Sequence, residues 1–315
     1  MVGNMSERRR TPWFGPGGIA VMLLLALSVL APSCGFKAQA AETVTDALGR
    51  TVAPGPATRI LTLGSDVTEI VYALGAGERI IAVDRGSKYP TDVSGKPNVG
   101  YRRQLSVEGL AGLRPDLILA AEDSGPPEAV EVLKSLAIPI VFIPQDNSGE
   151  GIDRKITLIA ASLDLEDKGK AVSAEVLSAF QAAADLAAKI PPERRKKVVF
   201  FHGLVKLSAA GAGTSADAII RYAGGLNPMD VVQGYKAASE EKLVEMAPDV
   251  ILMMSDGKGG PTPEQVFSNR ALAATPAAAN KALIVLDGAY MIGFGPRTAD
   301  AIRDLAKALY PENVD

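Results

Sequence analysis

Short apolar runs and longer segments with helical spacing alternate along this chain. The runs are continuous, as is typical of strands that are buried on both faces of a parallel sheet. Because strands that alternate with helices build parallel sheets, the order predicts an α/β fold. After the first run, Asp66 is the predicted N-cap of a helix that ends at Gly75. The apolar runs cover residues 60–64, 80–83, 117–120, 138–143, 198–201, 250–253 and 284–286.

The spacing is helical almost without interruption between about residues 152 and 190, until Pro191-Pro192 ends the pattern. That length exceeds a typical globular helix and predicts a rigid connector. We therefore predict two Rossmann-like lobes with parallel sheets, joined by a long backbone helix. The predicted boundaries are 41–150 for the N-terminal lobe, 151–192 for the linking helical segment and 193–315 for the C-terminal lobe.

The first forty residues have the pattern of a secretory signal peptide. Three arginines at 8–10 precede an apolar run over 19–31, and small residues follow as far as Ala40. The run is shorter than the roughly 20 residues that a membrane span needs, so residues 1–40 predict export to the periplasm with cleavage near Ala40. The adjacent arginines raise the twin-arginine route as an alternative, so the route of export stays open. Cys34 would be the acceptor of a lipid anchor, but residues 31–33 match that signal poorly.

Composition excludes several classes of function. The chain has 315 residues, a formal net charge of −3, one cysteine and one histidine. Mild acidity argues against nucleic acid as a partner, because phosphate binding needs clustered cations. A single Cys and a single His allow neither an intrachain disulfide nor a Cys/His zinc site. Nucleophile elbows, Walker loops and dinucleotide fingerprints in a suitable context are not found, so an enzyme such as a chelatase is disfavoured.

One local unit occurs twice in the sequence. Glu108 precedes Pro115-Asp116, and Glu241 precedes Pro248-Asp249 at the same spacing. Each unit predicts a short helix, a Pro-Asp turn and a buried strand. Two lobes with matching units indicate a cleft between them, and ligands of parallel sheets bind beyond the carboxyl ends of the strands.

These features resemble the periplasmic substrate-binding proteins with a rigid helical backbone, which serve ABC importers of haem, cobalamin and ferric siderophores. Four segments resemble the haem-binding members of that class: 98–106, 201–203, 213–225 and 293–297. The resemblance implies a soluble monomer that binds one or two haem groups in its cleft. It also implies delivery to a permease and its ATPase. Cobalamin or a ferric siderophore is the alternative cargo.

The resemblance implies that Tyr101 is the axial ligand of the haem iron. A phenolate is a hard anionic ligand suited to Fe(III), and neighbouring cations favour the anion. In an extended loop, residues 101 and 103 project to the same side. We therefore expect Arg103 to be the better candidate for pairing with a haem propionate or with Tyr101. Arg102 is a second haem-binding candidate, and a solvated side chain is the alternative.

The remaining candidates lie on both lobes. His202 follows a buried strand, and the resemblance implies a second iron ligand there, while a structural histidine is the alternative. Lys258 lies in a Gly-rich loop, either as a propionate partner or as an exposed turn residue. Glu108 and Glu241 would dock against permease arginines, one on each lobe. Glu240 is adjacent to Glu241 and stays open as an alternative.

Overall fold

The computed structural model describes residues 42–255 and 259–312, which belong to one compact unit. The predicted signal peptide, Cys34 and Lys258 lie outside the described residues. Within the two described ranges, no helix is both long enough and apolar enough to cross a membrane.

The first lobe is built on a four-stranded parallel sheet. Its elements are β1 (Val44–Thr45), β2 (Thr51–Val52), β3 (Ile60–Leu63), α1 (Ser65–Ala73), β4 (Ile80–Val83), α2 (Val107–Gly112), β5 (Leu117–Ala121), α3 (Pro127–Ser135) and β6 (Ile140–Ile143). The spatial order is β4-β3-β5-β6, and β1 pairs with β2 as a separate antiparallel hairpin. The side chains of β3, β5 and β6 are all buried, which explains the continuous apolar runs.

The prediction that Asp66 caps the first helix is wrong. Gly64 occupies the N-cap position with a φ of 136°, in the left-handed region that favours glycine. A Cβ at residue 64 would also lie 3.0 Å from the Asp66 carboxylate. Asp66 lies instead in the first turn of α1, where it is buried.

The second lobe contains a mixed sheet in the spatial order β11-β10-β7-β8-β9. Its elements are β7 (Val198–Phe201), β8 (Ser208–Ala210), α6 (Ser215–Tyr222), β9 (Tyr235–Ala237), α7 (Glu240–Met246), β10 (Val250–Ser255), α8 (Pro263–Phe267), α9 (Arg270–Ala273), α10 (Pro276–Ala279), β11 (Leu283–Asp287), α11 (Gly288–Ile292) and α12 (Thr298–Leu309). β7, β10 and β11 are parallel, as predicted. β8 and β9 are antiparallel additions that the sequence pattern does not predict.

The segment between the lobes is an antiparallel pair of helices, α4 (Gly149–Ala161) and α5 (Glu166–Ala188). The chain reverses at residues 162–165, where Asp164 has a φ of 57°. The pairing is close, because a Cβ at Gly169 would lie 2.5 Å from that of Ala160 and one at Gly149 would lie 3.2 Å from Phe180. The long helix predicted across this segment is therefore folded back on itself. α4 packs against α1, and α5 packs against α12 and α6.

One continuous apolar core runs through both lobes and the helix pair. It includes Ile60 and Ile70 in the first lobe, Ile156 and Phe180 in α4 and α5, and Ile302 in the second lobe. Separate clusters cover the opposite face of each sheet. Because the lobes share a core, burial of apolar surface holds them together.

Buried polar contacts also join the lobes. The Lys155 ammonium, whose residue is 1% exposed, donates to Asp66 Oδ2 at 2.6 Å and to the Phe294 carbonyl at 3.1 Å. The Arg297 guanidinium donates to both carboxylate oxygens of Glu69, at 2.9 and 2.5 Å. Asp66 and Glu69 belong to the first lobe, whereas residues 294 and 297 belong to the second. We call Asp66, Glu69, Lys155 and Arg297 the interlobe clamp.

Candidate functional site

Tyr101 lies beyond the carboxyl end of β4. The preceding segment runs beside that strand, with a bridge between Val83 and Asn98 and a hydrogen bond of 2.9 Å from the Val99 amide to the Val83 carbonyl. Gly100 then turns the chain with a φ of 89°. A 2.8 Å bond from the Gln104 amide to the Tyr101 carbonyl closes a tight turn. Edge pairing followed by a turn thus places the phenol at the end of the sheet where the ligands of parallel sheets bind.

Two arginines flank the Tyr101 ring. Nη1 of Arg103 donates to the phenolic oxygen at 2.8 Å. The guanidinium carbon of Arg85 lies 5.0 Å from the ring centroid, and that of Arg103 lies 6.0 Å from it. The predicted contact between Arg103 and Tyr101 is confirmed, although a tight turn produces it instead of an extended loop. Two guanidinium groups therefore lie against the phenol.

Of the two alternatives for Arg102, the solvated side chain is wrong. Its side chain is 20% exposed, and it donates through Nε and Nη2 to the Asp123 carboxylate, at 2.9 and 2.8 Å. Arg103, at 51% exposed, also binds Asp123, through Nε at 3.1 Å and through Nη2. Burial raises the pKa of Asp123, but Arg102 and Arg103 outweigh burial and leave that pKa below its ordinary value. Asp123 is therefore ionised.

His202 follows β7 on the second lobe. Its ring centroid lies 5.6 Å from that of Phe200 and 5.0 Å from that of Tyr235. Burial lowers the pKa of His202, and the positive charge of Arg103 lowers it further. Arg103 belongs to the first lobe, so its charge acts on His202 from the opposite lobe. His202 is neutral at pH 7 and has a free nitrogen lone pair.

Tyr235 of β9 also faces this cleft. Burial raises the pKa of its phenol, against the opposing effects of a hydrogen bond with Ser215 and of the Arg103 charge. The sequence gives little indication of Tyr235 or Asp123, because β9 has only three residues and carries no apolar run. Asp123 follows a predicted strand, which is a usable but weak signal. The cleft thus combines a phenol, an imidazole, a second phenol and three arginines.

Glu108 and Glu241 lie outside the cleft, at matching places in the two lobes. Ser106 caps α2 and Ser239 caps α7, each accepting from a backbone amide at 3.2 Å, so both glutamates are second in their helices. Both are exposed. In the described parts of the chain, neither has a cation within ion-pair distance, whereas Glu240 lies 3.4 Å from Arg270.

The turns after these helices match as well. Asp116 accepts from the amides of Thr58 and Arg59, just before β3, and Asp249 accepts from the amide of Lys197, just before β7. Each aspartate therefore ties its own strand to the adjacent parallel strand, β5 to β3 and β10 to β7. The two copies of the sequence repeat are equivalent in structure.

The profile of the family described as periplasmic binding protein matches residues 60–290. The chain belongs to this family, as its sequence predicts. It is similar to the solved periplasmic haem-binding protein RhuT from Roseiflexus sp. RS-1, at 34% identity over 80% of this chain and 98% of that one, with a TM-score of 0.75. It is also similar to the haem-binding protein BhuT in complex with two haems, at 34% identity over 81% and 100% of the chains, with a TM-score of 0.74. The vitamin B12-binding protein of Vibrio campbellii is 27% identical over 214 residues, or 65% of this chain and 75% of its own length.

Proposed function

We propose that this protein captures haem in the cleft between its lobes and delivers it to an ABC importer. The observation that carries the proposal is the phenolic oxygen of Tyr101, which lies in the cleft and accepts a hydrogen bond from Arg103. A tyrosine oxygen is a known type of axial ligand for haem iron, and an arginine beside it suits a negatively charged ligand. The likeness to haem-binding proteins at 34% identity supports the same cargo.

The arginines of the cleft are suited to bind the propionates of haem. Haem carries two anionic propionates, and Arg103 is half exposed beside Tyr101. The Arg85 guanidinium lies over the Tyr101 ring. Arginine binds carboxylates through two parallel hydrogen bonds, which fixes the orientation of the group that it binds. Lys258, outside the described residues, stays a prediction as a third propionate partner.

His202 supplies a second donor from the second lobe. Its lowered pKa leaves the imidazole neutral, which is the form that ligates iron. Tyr101 and His202 on opposite walls would serve either two faces of one haem or two haems bound side by side. The likeness to a protein solved with two haems favours a capacity of two. A titration of His202→Ala that saturates at one haem, where the unchanged protein takes two, would assign the second site to His202.

A titration of ferric haem into the purified protein tests the proposed function. We expect a saturable Soret band together with phenolate-to-iron charge-transfer absorption. Cyanocobalamin and a ferric siderophore are added in parallel, because a relative of this chain is a vitamin B12-binding protein. Saturable binding of either of these without a haem spectrum would replace haem as the cargo. Turnover of haem into a metal-free or cleaved product would instead indicate an enzyme.

The proposed contact with the permease follows from the exposed carboxylates of Glu108 and Glu241. We infer that Glu108 and Glu241 dock onto arginines of the permease, one from each lobe, and that residues 1–40 direct export to the periplasm. Glu241 is favoured over Glu240, because Glu240 already lies beside Arg270. Matched placement after the serine caps gives each lobe an equivalent negative charge for a two-point contact.

A further inference from the structure

Asp123 is an acidic residue beside the Tyr101 turn, and both of its carboxylate oxygens accept hydrogen bonds. Oδ1 accepts from Arg102 Nε, and Oδ2 accepts from Arg102 Nη2, from Arg103 Nε and from Arg103 Nη2. Asp123 therefore gathers two neighbouring arginines onto one carboxylate. It makes no direct contact with Tyr101 among the hydrogen bonds of the described residues.

Asp123 acts on Tyr101 through the planar guanidinium of Arg103. Asp123 holds the edge of Arg103 formed by Nε and Nη2, and Nη1 donates to the phenolic oxygen at 2.8 Å. Because the five donors of a guanidinium keep a fixed geometry, fixing one edge also fixes the direction of Nη1. An arginine that is 51% exposed would otherwise sample many rotamers.

The backbone of this region is held independently of the carboxylate. The Gly125 amide donates to the Arg102 carbonyl at 2.9 Å, and the Leu105 amide donates to the Gly125 carbonyl at 2.8 Å. These bonds join the Tyr101 turn to the loop after β5. Removal of the Asp123 charge should therefore release the arginine side chains while the loop keeps its path.

We propose that Asp123 is a positioning residue for cargo binding, which holds Arg103 so that its Nη1 meets the phenolic oxygen that ligates iron. This inference rests on the proposed function. Asp123 also offsets the charge of Arg102, which is mostly buried and lies next to the cleft. Arg103 is then the arginine that donates to the phenolic oxygen.

The test uses Asp123→Asn in the full chain, because it keeps the shape of the side chain but cannot bind two arginines as a carboxylate does. Glu122→Gln is the matched control. Glu122 is the adjacent acidic residue, its Oε1 accepts from the Gln145 amide, and a Gln oxygen can still accept that bond. Both changes are made in the native protein and in Arg103→Ala, and haem affinity is measured for each variant by Soret titration.

We expect Asp123→Asn to weaken haem binding about tenfold, in the range of one charge-assisted hydrogen bond. Glu122→Gln should bind within about twofold of the native protein. In the Arg103→Ala background, Asp123→Asn should have almost no further effect, because residues that act through one another are not additive. The phenolate charge-transfer band should also shift in Asp123→Asn, and a purely structural role would not produce that shift.

Three results would overturn the inference. They are native affinity in Asp123→Asn, an undiminished effect of that change in Arg103→Ala, and an unshifted charge-transfer band. If the native protein does not bind haem, both the proposed function and this inference fail. If the native protein binds haem but Asp123→Asn gives one of the three results above, only the inference fails.

If Asp123→Asn does not fold, Arg103→Lys tests the same point. Lysine keeps the charge but lacks the planar fork that reaches Asp123 and Tyr101 at once. We expect a loss of about tenfold, as for Asp123→Asn. Native affinity in Arg103→Lys would show that charge alone suffices and would overturn the positioning role.

Discussion

At the scale of single residues, the proposed iron ligation depends on the oxygen of Tyr101. Tyr101→Phe keeps the ring and its contact with Arg85 but removes the acceptor for Arg103. We expect the charge-transfer band to disappear and haem binding to weaken by at least about tenfold. Absorption spectra of the ferric complex measure both. Tyr222→Phe is the control, since Tyr222 packs on Phe180 outside the cleft. An unchanged spectrum in Tyr101→Phe would disprove the assignment.

Arg103 should contribute mainly to haem affinity, and Arg102 mainly to the stability of the fold. Arg103→Ala removes a cation that touches the phenol and should weaken haem binding by about 10–100-fold. Arg102→Ala leaves Asp123 with fewer donors and should lower the melting temperature, with a much smaller effect on affinity. Haem titration and thermal unfolding of both variants measure the difference. Equal affinities for the two variants would contradict it.

Residue-level reasoning from the sequence succeeds where the partners are close in the chain. Tyr101 and Arg103 are two residues apart, so their contact was predictable, although a tight turn and not an extended loop brings them together. Asp123 and Tyr235 reach the cleft only through the packing of strands that lie far apart in sequence. The burial of Arg102 follows from Asp123, so it could not be predicted before the position of Asp123 was known.

At the scale of elements, the paired helices α2 and α7 give the prediction about transport. Replacing both Glu108 and Glu241 with Ala should leave haem titrations unchanged, because neither residue lies in the cleft. The double variant should reduce permease-stimulated ATP hydrolysis and haem uptake in reconstituted vesicles, and each single variant should reduce them less. Charge pairs at an interface rim chiefly set encounter rate and orientation.

A second pair of carboxylates controls for the loss of negative charge. Glu131 of α3 and Glu245 of α7 are exposed, one on each lobe, and each pairs with a lysine of its own helix. Their double Ala variant should support normal transport. Full transport by the Glu108/Glu241 double variant would show that the permease docks elsewhere.

Elements were predictable where the pattern is long and uninterrupted. The strands that are buried on both faces appear as apolar runs, and the repeated Glu and Pro-Asp positions predict a short helix and a turn in each lobe. β8 and β9 have three residues each and give no such run. The turn at residues 162–165 interrupts a helical pattern with only four residues, and one of them takes a positive φ without being a glycine. Tertiary packing of α4 on α5 determines that reversal.

At the scale of the whole molecule, the interlobe clamp predicts a pH-dependent stability. Arg297→Met would leave Glu69, whose side chain is 6% exposed, without its partner. Loss of one partner of a buried pair costs about 3 kcal/mol. Urea unfolding at pH 7 measures this loss. Arg303→Met is the control, because Arg303 pairs with Asp300 on the exposed surface of α12 and should contribute less than about 1 kcal/mol.

The pH dependence follows from Glu69. Burial raises its pKa in the folded protein, against the opposing effect of Arg297, so the folded state binds this proton more tightly than the unfolded chain does. The contribution of Glu69 to stability therefore falls as the pH rises from the pKa of the unfolded state through the raised pKa of the folded state. Without Arg297 the pKa should rise further, and the loss caused by Arg297→Met should be smaller at pH 5 than at pH 7. An equal loss at both pH values would contradict this account.

The interlobe clamp has a consequence for the kinetics of loading and unloading. A cleft that must close around its cargo shows an observed capture rate that levels off at the rate of closure. Walls that are already tied together by Lys155 and Arg297 require no such step, so capture should accelerate in proportion to cargo concentration. Unloading by spreading the lobes would have to separate ions buried between them. Under the proposed delivery to an ABC importer, the importer and its ATP would supply the work for that separation, and the rate of separation would determine the time before delivery.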